Sequence, residues 1–356
     1  MENRNRQVLL KQRPNGAPTQ GDFTITDAPL PDPADGEVLV RGIYLSLDPY
    51  MRGRISGQRS YARPVDVGAV MEGRVVGEVA RSRDPGFREG DYVLGGFGWQ
   101  LYSAVPGQGL LKLDPAEAPL STALGVLGMP GLTAYVGLDE IGKPQRGETV
   151  VVSAASGAVG AVVGQLAKRA GAQVVGIAGG ADKCRWVETE LGFDTCIDHR
   201  AADLGAALDR ACPKGIDVYW ENVGGAVQQA VFSRLNDFAR MVMCGMVAEY
   251  NDVEPRPGPN LMSAVRKRIK IQGFIVGDRW QRFAEYRAMA APLLKSGELK
   301  YREDVVEGLD RAPEAFIGLL QGPQFRQARG QARPGRHAPG LRDAAGTLPS
   351  LRSSLS

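Results

Sequence analysis

The first half of the sequence contains neither cysteine nor histidine. The first cysteine is Cys184, and the two histidines of the chain are His199 and His337. A structural zinc site needs four closely spaced cysteines, and a catalytic one needs a set of Cys, His and Glu ligands. We therefore predict no metal ligands. A Ser-His-Asp hydrolase is disfavoured too, because a histidine is available in only two places.

Long apolar runs are also missing. No stretch of 18 apolar residues exists, so no membrane-spanning helix is expected. The N-terminal residues are polar and lack the apolar core of a secretory signal. The cysteines lack paired spacing, which is typical of free thiols in a reducing compartment. We therefore expect a cytoplasmic protein with no membrane partner. The cysteines are Cys184, Cys196, Cys212 and Cys244.

Excess positive charge is confined to the end of the chain. The formal net charge is +3, but residues 323–356 hold six arginines and one aspartate. The rest of the chain is therefore slightly acidic, which gives no support to general polyanion binding. We predict no nucleic-acid partner.

The same segment, 323–356, has no apolar period and is rich in Arg, Gly, Ala, Pro, Ser and Gln. Such a composition buries too little surface to offset the entropy of ordering, so the sequence predicts a disordered tail. Two origins stay open. The segment is either a natural basic tail or the product of a reading-frame shift near Pro323. Plausible codons shifted by one base there would encode a Gly-Lys turn followed by a strand.

The most informative stretch runs from Val150 to Gly160. Three valines predict a buried strand, a small-residue loop follows, and a helix extends to Ala170. A second strand is predicted at residues 173–177. Strand, loop, helix and strand in this order indicate a dinucleotide-binding unit, in which a helix N-terminus faces a pyrophosphate. The loop reads Ala-x-x-Gly-x-x-Gly, so a small-residue turn in another α/β domain remains an alternative.

The chain divides into two patterns. Residues 1–127 show short strands broken by Gly and Pro, which predicts an all-β unit. Residues 128–299 alternate strands with helices, which predicts an α/β domain with a doubly wound parallel sheet of the Rossmann type. Residues 300–322 return to a strand and a short helix, and we assign them to the first domain.

The coenzyme is predicted from the end of the second strand. An acidic residue there usually holds the ribose hydroxyls of NAD. Here Gly179 and Gly180 are small and neutral, and Lys183, His199 and Arg200 follow. These cations would pair with a 2′-phosphate, so NADP(H) is preferred. Asp182 is an objection, although it lies beyond the strand end. Taken alone, Lys183 or His199 could equally be a surface residue.

Several motifs in a specific order resemble the medium-chain dehydrogenase/reductase superfamily. Within it the chain is most similar to the zinc-independent branch of alkenal, prostaglandin and curcumin reductases. The resemblance covers roughly residues 5–322. The motifs are LSLDPYMRG at 45–53, GMPGLTAY at 128–135, the loop at 154–160, ENVGG at 221–225 and GFIV at 273–276.

The resemblance implies a GroES-like first domain and NADPH-dependent reduction of a carbon–carbon double bond conjugated to a ketone or aldehyde. Hydride would reach the β-carbon, and a tyrosine hydroxyl, Tyr50 or Tyr250, would serve the carbonyl oxygen. Either tyrosine could instead be a core or interface residue. The implied cofactor-binding residues are Met129, Thr133, Ser156, Gly157, Ala158, Val159, Gly160, Gly179, Lys183, His199, Asn222, Cys244, Gly245, Phe274, Ile275 and Val276.

Other functions stay open on the sequence. A zinc-free NADPH quinone oxidoreductase would use the same scaffold. A non-catalytic NADPH- or nucleic-acid-binding protein is a second alternative, because Arg266, Lys267, Arg268 and Lys270 form a basic run. No aromatic stacking platform accompanies that run. The partners we predict are a small enone or enal and a second copy of the chain, because exposed sheet edges often pair into dimers.

Overall fold

The computed structural model describes residues 4–201 and 203–321, together with the backbone of residues 352–355. Elements at the start of the chain are strands joined by tight turns, with one short helix. They are β1 (Arg4–Leu10), β2 (Phe23–Pro29), β3 (Glu37–Leu47), α1 (Met51–Ser56), β4 (Val75–Ser82), β5 (Tyr92–Gly95), β6 (Tyr102–Pro106) and β7 (Leu111–Leu113).

Strands and helices alternate in the middle of the chain. They are α2 (Met129–Gly137), β8 (Thr149–Ser153), α3 (Ala158–Arg169), β9 (Gln173–Ala178), α4 (Ala181–Thr189), β10 (Thr195–Asp198), α5 (Leu204–Ala211), β11 (Ile216–Glu221), α6 (Gly225–Phe232), β12 (Leu235–Met243), α7 (Met262–Lys267), β13 (Lys270–Gly273) and α8 (Phe283–Ser296). The remaining elements are β14 (Asp304–Glu307), α9 (Ala312–Gln321) and β15 (Arg352–Leu355).

The middle strands form one parallel sheet in the order β10-β9-β8-β11-β12-β13. This is the doubly wound order of a dinucleotide-binding domain. Every residue of β8 is buried, as a strand covered on both faces requires. Trp220 and Tyr219, which neighbour each other on β11, are fully buried on opposite sides of the sheet. The predicted Rossmann-type α/β fold is confirmed.

The first strands build a mostly antiparallel unit. Its larger sheet has the order β14-β15-β3-β4-β5-β7, with β6 paired to β3, and β1 pairs separately with β2. Three aromatic rings form the centre of its core. Trp99 stacks on Phe23, and Phe316 of α9 meets both rings edge-on. The mostly β nature of this unit is as predicted, while the boundaries at residues 127, 300 and 322 stay predictions.

The end of the chain differs from the prediction of a disordered tail. Residues 352–355 form β15, which pairs in parallel with β3 and antiparallel with β14. Disorder is therefore the wrong prediction for these four residues. Backbone hydrogen bonding needs no apolar period, so the composition of the segment did not reveal the strand. The rest of the predicted tail, and with it the proposed frameshift point, lies outside the described residues.

Two predictions that follow from the sequence need adjustment. Residues 187–191 predict a helix, and that helix, α4, begins earlier, directly after Gly180. Residues 270–276 predict a buried strand, but β13 ends at Gly273, so residues 274–276 lie beyond the sheet edge. All four cysteines are free, as predicted. In the described residues no helix has the length and apolar character needed to cross a membrane.

Candidate active site

The strand order reverses between β8 and β11, and a crevice opens at the carboxyl ends of these two strands. Ligands of doubly wound sheets bind at such a point. Ser153 ends β8, and Asn222 follows β11. The backbone N–H of Asn222 donates to Ser153 Oγ at 2.8 Å, and Asn222 Nδ2 donates to the Ser153 carbonyl at 2.7 Å. Trp220 Nε1 donates to Asn222 Oδ1 at 3.1 Å, so the side chain of Asn222 is fixed at the crevice.

Glu221 supports the same turn from below. Its Oε1 accepts the backbone N–H groups of Val223 at 2.6 Å and Gly224 at 3.0 Å. The side chain is fully buried, and burial raises the pKa of this carboxyl group. We regard Glu221 as a positioning residue that sequence reasoning passed over. An acidic residue in the otherwise apolar end of β11 was the available clue.

The glycine loop between β8 and α3 is shaped for a close backbone approach. Ala154 has a positive φ of 49°, and a Cβ at Gly160 would collide with the Ala154 carbonyl oxygen. Gly157 begins α3 in extended conformation and offers no side-chain cap. The first N–H groups of the helix, on Ala158, Val159 and Gly160, therefore have no helical acceptor and face outward. The loop fits a pyrophosphate, because small residues leave room beside these donors.

Cations gather at the end of β9. A Cβ on Gly179 would lie 2.9 Å from Arg200 Nε and 3.0 Å from His199 Nε2, so both side chains cover this glycine. Burial lowers the pKa of Lys183, and the positive charges of Arg200 and Arg302 lower it further. Burial and the neighbouring Arg200 also lower the pKa of His199. Like charges held together in this way are typical of a phosphate site.

Asp182 and Asp198, two of the three aspartates near this site, have other partners. Asp182 is exposed and pairs with Arg185 at 3.0 Å. Asp198 Oδ1 accepts the backbone N–H groups of Gly180 at 2.9 Å and Arg200 at 3.0 Å. Asp182 therefore does not pair with the cations around Gly179, whereas Asp304 acts on Lys183 and lies 3.6 Å from Arg302 Nη2. The objection that Asp182 raises to an NADP site loses its force.

Arg302 is a second residue that sequence reasoning missed. It lies between α8 and β14, far along the chain from the glycine loop. Nevertheless it lines a narrow cleft together with Ser156, Gly157 and Ala158. Its charge also acts on Lys183. Arg302 therefore joins the pyrophosphate end of the crevice to the cation cluster.

The other end of the crevice is formed by three turns. Thr133 Oγ1 donates to the Met129 carbonyl at 2.8 Å in the first turn of α2, so this hydroxyl is occupied. The ring of Phe274 packs edge-on against Trp220, with centroids 6.0 Å apart. Ile275 and Val276 follow Phe274 and are half-buried, as are Cys244 and Gly245 after β12.

Tyr250 closes over the turn after β12. A Cβ on Gly245 would lie 2.8 Å from the Tyr250 hydroxyl, so only a glycine admits the ring here without displacement. The backbone of Met246 acts to lower the pKa of that hydroxyl. Burial raises the pKa of Tyr250, so its hydroxyl stays protonated at neutral pH. Gly245 and Tyr250, which the sequence predicted as separate site residues, are therefore brought together.

Tyr50 lies elsewhere, in the wall of a cavity of about 530 Å³ between the β unit and the segment around Trp280. Burial raises the pKa of Tyr50 strongly, and the carboxylates of Asp48 and Glu72 raise it further. Its hydroxyl is therefore a proton-bearing hydrogen-bond donor at any physiological pH. The lining residues are Tyr50, Arg54, Glu72, Gly73, Arg74, Leu94, Gly95, Gly96, Gly109, Leu110, Leu111, Trp280 and Phe283.

Arg54 organises the polar side of this cavity. Its Nε lies 2.5 Å from Glu72 Oε1. The guanidinium also stacks over the rings of Tyr50 and Tyr61, at 5.7 Å and 4.9 Å from the centroids. The sequence analysis assigned a role to Tyr50 but none to Arg54. Only the fold brings Glu72 and the two tyrosine rings together around Arg54, so the sequence pattern did not reveal this cluster.

Among residues 4–201 and 203–321, no group of three or more His, Cys, Asp and Glu side chains could hold a metal ion. Two family models of oxidoreductases match this chain, and one of them is named for zinc binding. Residues 6–113 match the N-terminal domain of oxidoreductase, and residues 158–295 match the model named zinc-binding dehydrogenase.

Known proteins are similar over nearly the full length. The NADPH-dependent curcumin reductase of Escherichia coli is 50% identical over 90% of this chain and 95% of its own length. The chain belongs to the medium-chain dehydrogenase/reductase superfamily. It falls in the branch of zinc-independent alkenal and prostaglandin reductases, as predicted. A 2-alkenal reductase of Nicotiana tabacum is 42% identical over 89% of this chain and 94% of its own length.

A solved structure of this superfamily supports the fold directly. CurA from Vibrio vulnificus in complex with NADPH matches with a TM-score of 0.86 and 48% identity. The match covers 90% of this chain and 97% of that chain. Such agreement extends to both the β unit and the parallel sheet.

Proposed function

We propose that this NADP-dependent oxidoreductase reduces the carbon–carbon double bond of α,β-unsaturated ketones and aldehydes. The observation that carries the proposal is the protonated Tyr50 hydroxyl in a cavity of about 530 Å³. That volume is in the range of small-molecule sites. The names of the relatives, a curcumin reductase and a 2-alkenal reductase, support the same chemistry.

The coenzyme in this proposal is NADP(H). The N–H groups at the start of α3 would hold its pyrophosphate, and Lys183, His199, Arg200 and Arg302 would surround its 2′-phosphate. Asn222 and the turns at 244–245 and 274–276 would line its nicotinamide. The fit rests on the glycine loop, which a Cβ at Gly160 would obstruct, and on the cations around Gly179. When bound, NADPH supplies the hydride that the β-carbon of the substrate accepts.

The side chains then have three tasks. Tyr50 donates a hydrogen bond to the carbonyl oxygen, which gains enolate character as the β-carbon accepts hydride. Leu94, Leu110 and Leu111 give one side of the cavity an apolar lining, which strengthens that hydrogen bond. The α-carbon afterwards takes a proton. Tyr250 is the second candidate donor, but it does not line this cavity. We therefore assign Tyr50 as the donor and Tyr250 as a residue that holds the turn at Gly245.

The proposal is tested with a panel of medium-chain alkenals, aryl enones and quinones, each with NADPH and with NADH. We expect NADPH oxidation with the enals and enones, and mass spectrometry should find the saturated carbonyl compound as product. Turnover of quinones alone would favour the quinone oxidoreductase alternative. Binding of NADPH without turnover of any activated olefin or quinone would favour a non-catalytic protein.

Partners are proposed on two further observations. The basic run at 266–270 is engaged within the protein: Lys267 Nζ donates to the Leu235 carbonyl at 2.6 Å, and Arg268 pairs with Asp237 at 2.7 Å. These contacts weaken the case for a nucleic-acid partner. In the described part of the chain, β13 is an edge strand with Ile271 exposed. A homodimer formed through this edge therefore stays our prediction.

A further inference from the structure

Arg52 of α1 is a buried cation that joins the β unit to the α/β unit. It follows Tyr50 by two residues, and only 6% of its surface is exposed. Its Nε donates a hydrogen bond to Asn251 Oδ1 at 3.1 Å, and its Nη2 donates to the Gly16 carbonyl at 2.7 Å. The guanidinium therefore ties a helix of the β unit to the residue that follows Tyr250.

The surroundings of Arg52 make its burial costly. Burial lowers the pKa of Arg52, and the carboxylate of Asp22 opposes that shift only partly. The carboxylate of Asp22 is itself engaged, because it accepts the backbone N–H of Thr19 at 2.7 Å and Gln12 Nε2 at 2.9 Å. A desolvated guanidinium is costly unless its donors are paired, so Arg52 keeps the acceptor oxygen of Asn251 in one arrangement.

The position of Tyr50 depends on the same helix. Tyr50 is the N-cap residue of α1, and the backbone N–H of Arg52 donates to the Pro49 carbonyl at 3.1 Å across the turn that contains Tyr50. A helix of six residues is not stable by itself, so its orientation is set by its anchors. Met51 and Ile55 anchor α1 in the core of the β unit. Arg52 is its anchor to the other unit.

The far side of this contact leads to the turn that would line the nicotinamide. The backbone N–H groups of residues 247–248 donate to the carbonyls of Asn222 and Val223, each at 2.9 Å. These hydrogen bonds fasten the segment that ends at Asn251 to the turn after β11. Tyr250, within that segment, packs against the core of the β unit. A short chain of hydrogen bonds therefore runs from α1 to the coenzyme crevice.

We propose that Arg52 is a positioning residue, which holds the Tyr50 hydroxyl at the distance from the nicotinamide that hydride transfer requires. The inference rests on the proposed function and adds a residue to its machinery. Arg52 is not among the residues that line the cavity of Tyr50, so its loss should act on the chemical step rather than on binding. A displacement of about 1 Å at a reacting group can lower a rate about 10²-fold.

The contact can be broken from either side. Arg52→Met keeps the length of the side chain and removes its donors, so kcat with an enone should fall about 10²-fold and the KM for NADPH should stay unchanged. Asn251→Leu removes only the acceptor and should lower kcat about tenfold, which keeps the test decisive if Arg52→Met fails to fold. Asn251→Asp retains an acceptor oxygen and should keep kcat nearly unchanged.

Arg13→Met is the matched control. Arg13 anchors the same helix, but within the β unit, by hydrogen bonds to the carbonyls of Ile55 at 3.4 Å and Val65 at 3.0 Å. Its loss should lower the melting temperature and leave kcat nearly unchanged. A fall in kcat equal to that of Arg52→Met would mean that general loosening of α1 is the cause, and would overturn the proposal.

A double-mutant cycle separates positioning from a purely structural role. In the Tyr50→Phe background the hydroxyl is absent, so Arg52→Met should lower the single-turnover rate of NADPH oxidation only about twofold. Losses that multiply in the two backgrounds would overturn the proposal. If the unaltered protein reduces enones and Arg52→Met matches it, only the positioning role fails. If the unaltered protein reduces no activated olefin, the proposed function fails and the positioning role fails with it.

Discussion

The coenzyme crevice and the cavity beside Tyr50 carry arginines in opposite settings. Around Gly179, the side chains of Lys183, His199 and Arg200 remain open to solvent, although neighbouring atoms partly desolvate Lys183 and His199. In the cavity beside Tyr50, Arg54 is covered, held by Glu72 and stacked on rings. An exposed cluster binds a charged group reversibly and is screened by salt. A covered cluster influences the protonation state of the side chains around it. Arginine therefore serves to bind a charged group around Gly179, and to support the reacting groups in the cavity beside Tyr50.

The comparison predicts its largest effect at the covered end. Tyr50→Phe keeps the ring under Arg54 but removes the hydroxyl, so kcat should fall about 10²- to 10³-fold, as for loss of one oxyanion donor. The affinity for NADPH should stay unchanged. Turnover is measured as the loss of NADPH absorbance with an enone, and coenzyme affinity by fluorescence titration.

Two matched variants sharpen this result. Tyr250→Phe removes a hydroxyl that lies outside the cavity lining, so it should lower turnover less than Tyr50→Phe does. Tyr102→Phe, on β6 and outside the cavity lining, should be neutral. A larger loss from Tyr250→Phe than from Tyr50→Phe would exchange the roles that we assign to the two tyrosines.

A smaller effect is expected at the exposed end. Lys183→Gln and Arg302→Gln should each raise the KM for NADPH about tenfold, because each removes a charged hydrogen bond to the 2′-phosphate. The KM for NADH should hardly change, and the difference should shrink at high salt. Steady-state kinetics with both coenzymes measures this. Arg185→Gln, on the same helix but paired with Asp182, is the matched control. An equal loss with NADPH and NADH would argue against pairing with the phosphate.

The smallest effect concerns pH. Burial and Arg200 lower the pKa of His199, so the free protein holds this imidazole neutral near pH 7. A bound phosphate favours the protonated form, so binding takes up a proton and tightens as the pH falls. Between about pH 7.5 and 5.5, unaltered protein should therefore gain affinity for NADP⁺ about threefold relative to His199→Gln. Calorimetric titration of both proteins measures the ratio, and parallel pH profiles would speak against the histidine.

Local sequence patterns predicted those parts of the coenzyme site whose residues are close together in the chain. The valines of β8, the glycine loop and the small residues after β9 were predicted because each depends on its own neighbours. The site at the other end was only partly predicted. Tyr50 came from a resemblance, whereas Arg74 of the same cavity was missed because Trp280, its stacking partner, is distant in the sequence. Arg302 was missed for the same reason.

Short elements were the other source of error. The four-residue strand β10 was too brief to give a period, although the two residues that follow it, His199 and Arg200, were predicted as cations of the coenzyme site. The strand β15 consists of Arg, Ser, Ser and Leu, and nothing in those side chains distinguishes it from a loop. The strands β10 and β15 are both defined by backbone hydrogen bonds to neighbouring strands, and amino-acid composition does not predict such pairing.

The strand β15 has a practical consequence. It lies between β3 and β14, so the last residues of the polypeptide join two strands that do not otherwise pair. An affinity handle fused after Ser356 would sit one residue from this seam, whereas one fused before Met1 would extend from the start of β1, in the separate β1-β2 pair. Purification handles therefore belong on the amino-terminal side, and a stop codon introduced upstream of residue 352 would leave β14 without β15, its neighbour in the sheet.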